Sequence, residues 1–203
     1  MTLLDFWFDF ASTYSYLSAM RADDVAHRKG VAVRWRPFML GPIFAKQGWT
    51  TSPFNLYPAK GRNMVRDLER ICAKNGLPFR MPDPFPQNSL HAARIAWALD
   101  EAHRPAFGRA VFAREFGEGK PIDDRDALAD LLVQQGHDAA AVLARATSED
   151  NKAWLKDETR KAERIGVYGA PTFATLRGEL FWGNDRLEDA LDWALSEEAH
   201  ADA

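Results

Sequence analysis

"LLDFWFDFASTYSYLSAMRADDVAHRKGVAVRWRPF", Leu3 to Phe38, is the stretch whose reading decides the fold. Its first part, Leu3 to Phe10, is apolar and rich in aromatics, as a buried strand is. A Ser/Thr/Tyr cluster follows at once, and the spacing predicts a helix over Thr13 to Lys29. Leu17, Met20 and Val25 fall roughly on one face of it, and Gly30 is a fitting stop. Val31 to Phe38 alternates as a second strand. The connection is long enough for a parallel crossover, which would be right-handed.

Outward from there, "LGPIFAKQGWTTSPFNLYPAKG" is rich in Gly, Pro and Thr/Ser and reads as a loop too long for an ordinary connector. Arg62 to Asn75 reads as a helix stopped by Gly76. The proline-rich "LPFRMPDPFPQNS" must be extended or turning. Helical spacing then recurs in Ser89–His103, Pro105–Gly117, Asp124–Gln135, Asp138–Ala146 and Ser148–Ile165. After "IGVYGAP", Thr172 to Arg177 reads as a strand, Gly178-Glu179 as a tight turn and Leu180 to Trp182 as the returning strand. Asn184 or Asp185 caps a last helix through Leu195. The ends are thus α/β and the middle is helical. That order, βαβ…ββα, is a thioredoxin-like fold with a large all-helical insertion. Residues 1–38 and 166–203 would form the discontinuous thioredoxin-like domain, and 39–165 the helical insertion with a substrate-side loop.

Composition narrows the function. Of 203 residues, 46% are hydrophobic and 12% aromatic, enough for a sizeable core. The net charge is −3 with no dense Lys/Arg run, so nucleic-acid binding has no electrostatic support. Apolar runs are too short for a membrane span, and the N-terminus reads as a strand rather than a targeting signal. The single cysteine, Cys72, sits on the apolar side of a helix and reads as core; it fits a reducing, cytoplasmic setting. His91, His103 and His137 have no partners at ligand spacing, so no metal site is expected.

Four motifs carry candidate chemistry. Ser12, with Ser15, stands in the turn after the first strand. It is an N-cap on the plain reading, and on the functional reading a hydroxyl that donates to a thiolate brought by a cofactor. In "GVYGAPT", Pro171 suits the start of a strand; the functional reading makes Ala170-Pro171 cis and leaves the Ala170 backbone free to pair with a peptide-like ligand. In "WGNDRL", Asn184 and Asp185 are either helix caps or the holders of a zwitterionic ligand, Asp185 taking its ammonium. In "FNLYPAKGR", Asn55 and Lys60 are either solvated loop residues or anchors for the carboxylates of an acidic ligand. Lys46, Trp49 and Arg62 are candidates for the substrate side. Phe38, Phe44, Trp49, Phe54 and Tyr57 could partly line an aromatic-binding pocket.

Taken in order, "DFASTYSYL", "SPFNLYPAKGRNMVRDLER", "GVYGAPTF" and "LFWGNDRLEDAL" resemble the 2-hydroxychromene-2-carboxylate isomerases, DsbA-like thioredoxin-superfamily proteins close to the kappa-class glutathione transferases. Two positions depart from that pattern: Thr13 stands in place of a proline and Asn63 in place of an aromatic. The resemblance implies glutathione as cofactor, a small aromatic carboxylate as substrate and a homodimer. It places Ser12 at the glutathione sulfur, Asn55 and Lys60 at carboxylates, Ala170 and Pro171 at the cysteinyl backbone, and Asn184 and Asp185 at the γ-glutamyl end. A disulfide oxidoreductase needs a Cys-x-x-Cys turn, and Ser12 to Ser15 holds no cysteine. The alternatives are a kappa-like glutathione transferase and a non-catalytic thioredoxin-like binding module.

Overall fold

Residues 2–200 are described by a computed structural model. Strand β1 (Leu3–Phe8) lies at the centre of the sheet. It pairs in parallel with β2 (Ala32–Pro37), Leu3 opposite Ala32 and Phe8 opposite Pro37, and antiparallel with β3 (Thr172–Thr175). The third strand pairs antiparallel with β4 (Leu180–Trp182), and the strand order among the described residues is β2-β1-β3-β4. Both ends of the chain therefore build one sheet, as expected. The third strand stops at Thr175, short of Arg177, because the Thr175 carbonyl already accepts from Gly178 at 3.1 Å in the turn.

Three expectations for the helices change. The helix expected over Thr13 to Lys29 is two helices, α1 (Thr13–Ala19) and α2 (Ala22–Arg28). The break falls at Arg21, with φ −136° and ψ −17°. There the guanidinium is held by the Asn184 carbonyl at 2.9 Å and by Glu188 at 2.8 Å, so a long-range anchor overrides a continuous helical pattern.

The long loop contains α3 (Leu40–Lys46) and α4 (Pro53–Leu56), and the next helix, α5 (Pro58–Asn75), starts four residues before Arg62. Pro42, Pro53 and Pro58 looked like breakers, but each lies in a first helical turn, where a missing N–H costs nothing. Gly76, at φ 64°, closes α5 as expected.

The middle continues as α6 (Leu90–Ala98), a 3-10 turn (Glu101–His103), α7 (Arg104–Phe112), a π-helical turn (Ala113–Gly117), α8 (Arg125–Gln134), α9 (Ala139–Thr147) and α10 (Glu149–Arg164). The last helix, α11 (Leu187–Ala199), follows a 3-10 turn, Asn184–Arg186, and has no side-chain cap. The expected capping by Asn184 or Asp185 is corrected: the Asn184 Oδ1 is occupied by the Ser18 hydroxyl at 3.1 Å.

The central strand is apolar on both faces because both are covered. Phe6 and Phe8 point to one side, where they stack at 5.0 Å and meet Trp35 edge-on. Trp7 points to the other side and packs with Phe38, Ile43, Ala162 and Val167. Phe38 is fully buried there, which removes it from the expected aromatic pocket. Asp5 is explained by its cross-strand neighbour Arg34, whose Nη2 donates to it at 2.9 Å. Cys72 is buried on the core side of α5. Among the described residues no helix is long and apolar enough to cross a membrane.

On the Trp7 side lies a buried ion pair. Arg36 pairs with Glu158 of α10, and its guanidinium sits 4.8 Å from the Trp7 ring and 5.7 Å from the Trp97 ring. Removing one partner of such a pair leaves a buried charge uncompensated. Glu158→Ala is expected to destabilise the protein by about 3–5 kcal/mol, read as a lower urea midpoint at unchanged slope. A midpoint within error of the parent would show that water reaches Arg36.

Candidate active site

The turn after β1 is built around Asp9. Its buried carboxylate accepts from the Ala11 N–H at 3.0 Å, the Ser89 hydroxyl at 2.6 Å and the Leu40 N–H at 2.7 Å. The Asp9 carbonyl accepts from the Ser12 N–H at 3.0 Å. One residue thus fixes the backbone of Ser12 and ties it to the start of α3 and to the residue before α6. Burial pushes the Asp9 carboxyl above its usual range, against the pull of its three donors. The sequence reading passed over Asp9. The available signal was a short acidic residue at the end of an apolar strand, two residues before the backbone amide it captures, which is an Asx-turn pattern.

Ser12 is the N-cap of α1: its oxygen accepts from the Ser15 N–H at 3.2 Å. Its hydroxyl donates to the Ala170 carbonyl at 2.9 Å, across 158 residues of sequence. Cap and link to the Ala170 loop are therefore made by the same atom. The Ala170-Pro171 bond is cis, and Pro171 is buried at the start of β3. The Ala170 carbonyl, expected free for a ligand, is in this arrangement taken by Ser12. Among the described residues the N–H groups of Thr13, Tyr14 and Ala170 have no acceptor. The helix behind Ser12 spans only seven residues, so its dipole is weaker than the longer helix expected from sequence would supply. Thr13, in place of a proline, is buried and its hydroxyl donates to the Met64 sulfur at 3.4 Å.

Neighbouring segments approach through Tyr14. Its ring lies 6.4 Å from that of Phe54, which brings the "SPFNL" segment against α1, and its hydroxyl donates to Asp67 at 2.9 Å. Burial first, then Asp67 and more weakly Asp185, push the Tyr14 phenol above its ordinary value. Asp185 is thus within electrostatic reach of the turn that carries Ser12. It is exposed, and Gly183 makes its position possible: at φ 120°, an added Cβ would stand 2.6 Å from the Asp185 Oδ1. Asn184 has a structural task, accepting from Ser18 and from the Arg21 Nε at 3.2 Å.

The remaining candidates gather less closely. Asn55 and Lys60 are exposed; Asn55 donates to the Phe85 carbonyl at 3.0 Å, and the Lys60 ammonium sits 4.9 Å from the Tyr57 ring. Lys46 pairs with Glu163 at 2.6 Å, and Trp49 packs on Phe44 at 5.3 Å. Arg62 is exposed on the first turns of α5. No contact joins Lys46, Trp49 or Arg62 to the Ser12 turn among the described residues.

A second buried carboxyl was also missed. Glu115 lies in the π-helical turn and is 0% exposed, and neither of its oxygens has a hydrogen-bond partner among the described residues. Burial, and then the charge of Asp9, hold this carboxyl well above the usual range. In sequence it sits in a regular helical pattern, "VFAREFG", where a Glu is normally solvated.

The sequence model of the DsbA-like thioredoxin domain matches residues 3–193. The 2-hydroxychromene-2-carboxylate isomerase of Sphingobium xenophagum is 31% identical over 186 residues, 91% of this chain and 94% of that one. Glutathione S-transferase kappa 1 of Caenorhabditis elegans is 26% identical over 203 residues, 93% of this chain and 89% of that one. A solved 2-hydroxychromene-2-carboxylate isomerase superposes with a TM-score of 0.86 at 27% identity, covering 98% of this chain and 97% of that one. The cytosolic disulfide reductase DsbM of Pseudomonas aeruginosa, solved with GSH, shares the fold at a TM-score of 0.66 and 20% identity, over 99% of this chain and 100% of that one. The chain belongs to the DsbA-like thioredoxin family and is a relative of its 2-hydroxychromene-2-carboxylate isomerases, and its fold is thioredoxin-like.

Two outcomes follow from the carboxyls. The native state keeps Glu115 protonated, whereas the unfolded chain releases that proton above the ordinary carboxyl value of about 4.3. Wild-type stability therefore falls as pH rises beyond that value, until the native group itself ionises. The unfolding free energy of Glu115→Gln relative to wild type, read from urea melts, is expected to rise as the pH is raised past the ordinary carboxyl value, by roughly 1 kcal/mol or more; a constant difference contradicts a raised native Glu115. Asp9→Ala strands three donors and is expected to cost about 3 kcal/mol or more in the same assay.

Proposed function

We propose that this member of the DsbA-like thioredoxin family is a glutathione-dependent isomerase of 2-hydroxychromene-2-carboxylate or a related aromatic carboxylate. The observation that carries the reading is the Ser12 hydroxyl: it stands in a turn without cysteine, on the Ala170 carbonyl at 2.9 Å. A hydroxyl in that place donates to sulfur but cannot exchange disulfides. The names of the relatives support an enzyme of isomerase or transferase type.

The donors fit glutathione. The Ser12 O–H and the N–H groups of Thr13 and Tyr14 suit an anionic sulfur, and the Ala170 N–H suits a peptide carbonyl. Bound there, glutathione supplies the nucleophilic sulfur that adds to the chromene and later leaves, so that the opened ring can rotate about the bond between. Ser12 moves its hydrogen bond from Ala170 to the sulfur and keeps it ionised near neutral pH. The Ala170 carbonyl is thereby released to accept from the ligand's amide. Asp185 takes the ammonium of the γ-glutamyl end, while Asn55 and Lys60, both exposed, take carboxylates. Since α1 is short, the hydroxyl is the main stabiliser of the thiolate rather than the helix dipole.

The kappa-class relatives favour one other reading, transfer of glutathione to an electrophile. Product analysis separates the two: an isomerase returns free glutathione, and a transferase leaves a stable thioether. Ser12→Ala is expected to lower turnover on the order of 100-fold and to raise the pKa of the bound thiol, read from thiolate absorbance. Calorimetry of the wild type with glutathione provides the first check. Absence of binding, or a variant with unchanged rate and thiolate signal, overturns the proposal.

A further inference from the structure

A second cleft, of about 280 Å³, opens between α6, α8 and α9, with none of the Ser12 turn in its lining. Three cationic or basic groups face it: His91 and Arg94 from α6, and Arg125 from the first turn of α8. Ile95, Leu143 and Ala146 form an apolar wall.

The charges around this cleft do not balance. Among the described residues, neither Arg94 nor Arg125 has a carboxylate within ion-pair distance. The Arg94 Nε is buried and has no hydrogen-bond partner among the described residues. Among the described residues the Arg125 guanidinium hydrogen-bonds only to the His91 Nε2, at 3.4 Å from both its Nε and its Nη2. The nearby acids do not compensate. Glu149 feels Arg94 but is held by Lys152 at 2.7 Å, and Asp124 spends its carboxylate capping α8. Asp123 acts on His91, yet more weakly than burial, Arg125 and Arg94, which together push the imidazole below its ordinary value. A buried guanidinium N–H without an acceptor is costly, and two guanidiniums on one wall repel. An oxyanion relieves both, since the guanidinium fork matches its geometry.

We propose that this cleft binds a small phosphate-bearing anion, its oxygens on Arg94, Arg125 and His91 and any organic body on the Ile95–Leu143 wall. Two fixed positive charges match a phosphate dianion, and His91 adds a third partner once it takes up a proton. The size is that of a small-metabolite site rather than a protein surface. The Ser12 reading is independent of this one, because no lining residue is shared.

The test uses the full chain and the Cε1–H resonance of His91, assigned by its loss in His91→Gln. Inorganic phosphate and phenyl phosphate are titrated separately at constant ionic strength. An anion on the two arginines favours imidazolium, so either probe is expected to move the His91 titration midpoint to higher pH in a saturable manner. Arg94→Gln and Arg125→Gln are each expected to weaken binding roughly tenfold or more, with the circular dichroism of the fold retained. Tighter binding of phenyl phosphate assigns the site to a phosphate ester, and equal affinity assigns it to free phosphate. Ser12→Ala leaves the affinity unchanged and so separates this site from the glutathione proposal. A His91 midpoint insensitive to both probes overturns the inference, as does undiminished binding by both arginine variants.

Discussion

One carboxylate in the interior, that of Asp9, joins the end of the central strand to two segments of the helical middle. Its donors come from its own turn, from the first residue of α3 and from the residue ahead of α6. A buried charge without donors is prohibitively costly, and buried donors without an acceptor are nearly so, which makes the arrangement mutual. The strand supplies Asp9 at a fixed height above the sheet, and the helical middle supplies the groups that satisfy it. Ser12 inherits its place from that agreement, because its own N–H donates to the Asp9 carbonyl.

Around this point the molecule divides its polar groups sharply. The turn of Ser12 offers donors: a hydroxyl and amides left over at a helix start. Glu115 is an acid with no donor at all among the described residues, and burial raises its carboxyl well above the usual range. Burial raises both carboxyls, and only Asp9 has donors that pull the other way. Glu115 lies in the π-helical turn, in register with the buried Val111 and Phe112 of α7.

The guanidiniums show the same contrast. Arg36 is buried between Trp7 and Trp97 and is balanced by Glu158, so its charge belongs to the architecture. Arg94 and Arg125 line an open cleft with no counter-charge among the described residues. Arg21 is intermediate: it breaks a helix in order to join Asn184 and Glu188, and in doing so fixes the loop that presents Asp185.

Much of this was readable in the chain by itself. Aromatic runs and alternation gave the strands around Leu3, Val31, Thr172 and Leu180, and the absence of cysteine from Ser12 to Ser15 set the chemistry of the turn. Those signals are local, because strand pattern and turn composition act over a few residues. Prolines hid α3, α4 and the start of α5, since a proline in a first helical turn looks like one in a loop. The tasks of Asp9, Glu115, Arg21 and Asn184 were decided elsewhere: their partners, or the burial that leaves Glu115 with none, come from distant sequence. Ionisation follows desolvation and nearby donors, and both exist only once the helical middle has closed over the sheet.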